Sequence, residues 1–130
     1  MRTLRYTLAA AAMAASTSAT LSAHHSFAPF NLTTEKTLTG TIKSFDWTNP
    51  HTWIWIDVAD EKGAVKTWGV EGMSPNYLSR RGWTKNTFKP GDKATIVVRP
   101  MRDGSPGGMF VRATLADGKE LTFAAQPTEP

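Results

Sequence analysis

The sequence predicts an all-β domain, and three observations carry that prediction. Short runs rich in Val, Ile, Thr and Trp recur along the chain. Clusters of Gly, Pro, Asn and Asp separate them. Between residues 24 and 130 a single stretch carries helix start and stop signals.

Taken in order, the first strand is expected over Leu38–Trp47, with Gly40 as a bend or bulge. Asn49-Pro50 interrupts it, and Thr52–Val58 follows as the second strand. In this second run His51, Trp53, Trp55 and Asp57 fall on one face, and Thr52, Ile54, Ile56 and Val58 on the other. The aliphatic face points inward, which leaves His51, Trp53 and Trp55 on an outer, ligand-facing surface. Asp60-Glu61-Lys62-Gly63 is a turn, and Val65–Glu71 is the third strand. A helix fits Ser74–Arg81, with Ser74 as N-cap, Pro75 in the first turn and Gly82 as the stop. Lys89-Pro90-Gly91-Asp92 turns the chain into a fourth strand, Lys93–Arg99. Asp103–Gly108 reads as a glycine-rich loop and Phe110–Leu115 as the fifth strand. Asp117-Gly118 makes a tight turn before a short sixth run, Glu120–Ala124. Three strands, one short helix and then two or three strands is the element order of a small OB-like Greek-key barrel. Another small all-β barrel or a sandwich is the alternative.

The chain has 130 residues, enough for one domain. Residues 1–23 have the three-part build of a secretory signal: Arg2 and Arg5, a short apolar run from Thr7 to Ala15, then small residues up to Ala23. That apolar run is shorter than the ~20 residues a membrane helix needs. Cleavage is expected after Ala23, with Ala19 as the second choice. Removing 23 of 130 residues leaves 107, starting at His24 and ending in a flexible tail around Gln126–Pro130. The formal charge of +4 falls to +2 when Arg2 and Arg5 leave. No dense Lys/Arg stripe remains, which argues against a dedicated nucleic-acid binder. Cysteine is absent, so disulfides, thiolate catalysis and cysteine-ligated metal sites are excluded.

Six short motifs stand at spacings that span the mature chain. They are His24-His25-Ser26-Phe27, Phe45-Asp46-Trp47-Thr48-Asn49-Pro50-His51 and Glu71-Gly72-Met73-Ser74-Pro75-Asn76, then Arg80-Arg81-Gly82-Trp83, Lys89-Pro90-Gly91-Asp92 and Arg102-Asp103-Gly104-Ser105-Pro106. In these the chain resembles a family of short exported bacterial proteins catalogued as domain of unknown function 6152. The resemblance implies a periplasmic or secreted protein and no established activity.

The histidines are the sharpest chemical signal. There are three: His24 and His25 would open the mature chain, and His51 stands at the start of the second strand. An amino-terminal histidine offers an α-amine, of pKa ~7.7–8, together with an imidazole nitrogen. His51 would add a third nitrogen, a set that suits copper(II) first and also nickel(II) or zinc. Such a site is similar to the histidine brace of copper oxygenases, at the level of the motif alone. The plain alternative is a frayed terminus, with His51 ordering the Asn-Pro turn. Met73, Met101 and Met109 are widely spaced and read as fillers of core or loops.

Five tryptophans suggest a second surface, built from Trp47, Trp53, Trp55 and Trp83, that would stack sugars or peptides. The same residues would otherwise serve as core. Asp46, Asp57, Glu71 and His51 are the acid–base candidates, but no spacing among them predicts proximity. Ser74 reads as a helix cap, Arg80 and Arg81 as solvated partners of the helix end. Gly107-Gly108 lacks the Lys and Ser of a phosphate loop. The residues therefore favour a non-catalytic exported module over an enzyme. Its ligand would be a metal, copper first, at His24, His25 and His51, and its alternative role a protein or glycan contact through the tryptophans.

Overall fold

Ile54 and Ile56 are buried while Trp53, Trp55 and Asp57 alternate with them on the outer face, in a computed structural model that describes residues 27–123. The two-residue period thus settles which way the second strand faces. The expected leader and its cleavage point, His24, His25 and the tail lie outside the described residues.

The elements run β1 (Lys36–Asp46), β2 (Trp53–Ala59), β3 (Val65–Glu71), α1 (Pro75–Ser79), β4 (Lys93–Pro100), β5 (Gly107–Leu115) and β6 (Glu120–Thr122). The strands form a single sheet in the order β3-β2-β1-β4-β5-β6. One added pairing closes it: β3 runs parallel to β5, with Gly69, Val70 and Glu71 beside Gly107, Gly108 and Met109. The result is a five-stranded OB-like barrel with β6 as an extra strand and the helix between β3 and β4. β1 is shared between two partners, Lys36–Thr41 pairing with β4 and Thr41–Asp46 with β2.

Three details differ from the sequence expectation. The bulge in β1 lies between Ile42 and Ser44, not at Gly40. Gly40 instead marks a close approach, since a Cβ there would sit on the Asp57 carbonyl oxygen. Gly107 and Gly108 belong to β5 rather than to the preceding loop. A Cβ on Gly108 would lie 2.8 Å from the Arg99 carbonyl oxygen and from Val98 Cβ, so side-chain-free residues let the closing strand fit. The helix is shorter than expected. Ser74 Oγ accepts from Tyr77 N–H at 3.3 Å, Pro75 opens the turn, and Gly82 at φ 84° stops it.

Leu38, Ile42, Ile54, Ile56, Val70, Ile96 and Val98 fill the barrel interior. Leu78 of α1 joins them from one end, with Trp83 and Phe88 from the segment that follows.

Candidate functional site

The amino-terminal segment is tied to the turn after β4. Phe30 forms a bridge with Met101, and Asn31 N–H donates to the Pro100 carbonyl at 2.8 Å. Arg102 N–H donates to the Pro29 carbonyl at 2.9 Å, and Arg102 Nε to the Ala28 carbonyl at 3.0 Å. These bonds bring Phe27 to the rim of an open cleft of about 420 Å³. Phe27, Phe30, Met73, Met109 and Phe123 line it, so its walls are largely apolar. His51 and Glu71 supply charge and polarity there.

His51 and Glu71 meet because β2 and β3 form an antiparallel hairpin. Its register sets Trp53 opposite Glu71. His51 precedes Trp53 by two residues and shares its face, so its ring lies alongside the Glu71 carboxylate. Nδ1 of His51 is in direct contact with Glu71 Oε1. The pairing continues past the strands: Thr52 N–H and Oγ1 both donate to the Met73 carbonyl, at 3.1 and 2.9 Å, and Gly72 N–H donates to the Thr52 carbonyl at 2.8 Å. The start of β2 and the residues after β3 therefore form a well-bonded floor. In addition, the parallel β3–β5 register sets Met109 beside Glu71.

The expected tryptophan surface divides. Trp53 and Trp55 lie on the outer face, half-buried and stacked on each other at 5.8 Å and 17°. Trp55 covers Gly69, where a Cβ would come within 2.7 Å of its ring, and its Nε1 donates to Asp46 at 2.8 Å. With Phe30 and Pro106 both rings line a second groove of about 280 Å³. The loop beside it is held by Asp103. Ser105 Oγ and N–H donate to that carboxylate, and these bonds lower its pKa below the usual carboxylate range. Trp47 instead packs edge-on to Phe45 against the core, and Trp83 is a core residue. Neither joins Trp53 and Trp55: Trp47 leaves the end of β1 before the Asn49-Pro50 bend, and Trp83 follows the turn at Gly82.

Asp57 accepts from Thr67 Oγ1 at 2.5 Å, a cross-strand contact on the outer sheet. Arg80 is exposed, as expected, whereas Arg81 is half-buried, with its guanidinium 3.6 Å from the centre of the Tyr77 ring. Among the described residues no three of His, Cys, Asp and Glu cluster in a way that would hold a metal ion. Among them, too, no helix is long and apolar enough to cross a membrane.

Comparison with known proteins gives the chain a family. The model described as "Family of unknown function (DUF6152)" matches residues 11–126, and the chain belongs to that family. No curated protein matches. Among solved structures, the chain is similar to the mitochondrial single-stranded DNA-binding protein Rim1 of S. cerevisiae. The identity is 12% and the TM-score 0.47, over 64% of this chain and 94% of that one.

Proposed function

We propose that this member of the family is an exported binding module that holds a transition-metal ion, copper(II) before others, between its mature amino terminus and His51. The observation that supports this reading is the shared cleft of Phe27, His51 and Glu71. Consecutive Cα atoms are ~3.8 Å apart, so the chain between Phe27 and His25 spans at most about 8 Å, and that to His24 at most about 11 Å. Both are thus within chain reach of the cleft that contains His51. Histidines that ligate metals commonly donate their second ring N–H to a carboxylate, which fixes the tautomer and the ring orientation. Glu71 occupies that position on His51 Nδ1. With the proton on Nδ1, the lone pair for coordination is on Nε2. His24 would add its α-amine and imidazole, and His25 a further imidazole.

The test begins with the intact mass of the exported protein, followed by copper(II) titration of the same sample. A chain starting at His24 that binds one equivalent, and loses it in His51→Ala or when the amine is acetylated, is the expected result. A different first residue, or binding that ignores His51, would sink the proposal.

The second groove favours another reading, a contact surface for a protein or glycan on Trp53 and Trp55. That reading expects Trp53→Ala to abolish partner binding while His51→Ala and amine acetylation leave it unchanged.

A further inference from the structure

We infer that the same cleft carries a soft, monovalent-cation site, for copper(I), made by the thioethers of Met73 and Met109 together with His51. It shares His51 with the reading above and does not need the amino-terminal nitrogens.

The two methionines are 36 positions apart in the chain but line the same cleft. Met109 is set beside Glu71 by the parallel pairing that closes the barrel. Met73 lies two residues beyond Glu71, its carbonyl fixed by both Thr52 donors. His51 is in direct contact with Glu71. All four residues line one cleft. Both methionine side chains are half-buried, while the third methionine outside the leader, Met101, lines the neighbouring groove instead.

The donor chemistry selects the ion. Thioether sulfur is a soft ligand that favours copper(I), whereas magnesium and calcium need several oxygen donors. Here the nearby carboxylate is one, and it is engaged with His51. Two thioethers and a neutral imidazole leave a bound monovalent ion with a single positive charge. Glu71 stands next to the ligand set to balance it, which an apolar cleft requires. The rings of Phe30 and Phe123 add an apolar lining to the same cleft. Methionines that only filled space would be replaceable by leucine with no chemical consequence, and that difference makes the site testable.

Silver(I), a diamagnetic stand-in for copper(I), is titrated into the full mature protein while the methionine ε-methyl resonances are followed. The expected result is a shift of the Met73 and Met109 methyls that saturates at one equivalent, with Met101 unmoved. The Met73→Leu/Met109→Leu double variant should lose silver(I) and keep its copper(II) titration. Absence of silver(I) binding, methyls that stay in place, or undiminished binding by the double variant would each overturn the inference. If that variant does not fold, the methyl shifts of the native protein decide alone. Silver(I) binding with these shifts but no copper(II) binding would leave this inference standing and remove the nitrogen-based one.

Discussion

Trp83→Ala lowers the stability of the domain by about 3–5 kcal/mol, the range for truncating a large buried aromatic. Trp83 is 3% exposed and stands at the centre of an aromatic cluster. Its ring centre lies 5.3 Å from Phe110, 5.8 Å from Phe88 and 6.2 Å from Phe123, the first two in edge-to-face geometry. Its Nε1 donates to the Thr122 carbonyl at 3.3 Å, which ties the segment after the helix to β6. Alanine would remove this whole plug from the barrel end. Domains of this size are stable by about 5–15 kcal/mol, so the change consumes a large share of the total. Urea unfolding followed by circular dichroism measures it without relying on tryptophan emission. A loss under about 1 kcal/mol, the range of surface substitutions, would mean that Trp83 is not the plug described.

The contrast between Trp83 and Trp53 shows what the sequence could and could not reveal. Alternation along β2 has a two-residue period, so the outward placement of His51, Trp53 and Trp55 was legible from spacing alone. Trp47 closes the expected first strand, but the bulge between Ile42 and Ser44 breaks the period before it, and Trp83 follows a turn where no period applies, so only the fold decides that they pack inward. The element order was legible as well, because Pro75, Gly82 and Gly118 punctuate it. The roles of the glycines in the strands were not. Gly40 and Gly108 answer to backbone from other strands, Asp57 and Arg99, which the local sequence does not contain. The contact between His51 and Glu71 had a signal that could have found it. A hairpin turning at Asp60–Ala64, with its pairing carried back to Trp53, brings Glu71 opposite. The shared cleft of Met73 and Met109 had no such signal, since it depends on the parallel closure of β3 on β5.

Gly40→Ala is expected to destabilise the barrel by about 1–3 kcal/mol without disturbing the cleft. The new methyl would fall on the Asp57 carbonyl oxygen and within 3.2 Å of Ile56 Cγ1. The oxygen belongs to the backbone, so no rotamer change can relieve the contact. β2 would have to withdraw from β1 where Thr41 pairs with Asp57, next to the point where β1 changes partner from β4 to β2. Thr37→Ala, at an exposed position of the same strand, is the matched control, and strand propensity limits its effect to ~1 kcal/mol or less. Asp57 is six residues along from His51, roughly 20 Å at the rise of a strand. Strain at Gly40 therefore acts at the far end of β2 from the histidine. Under the proposed metal reading, folded Gly40→Ala protein should give the same copper(II) titration as the unsubstituted chain, while its urea midpoint falls. An unchanged midpoint would show that β2 does not approach β1 as closely as described. A lost titration in folded protein would show that the cleft depends on the register of the whole strand rather than on its bonded floor at Thr52 and Met73.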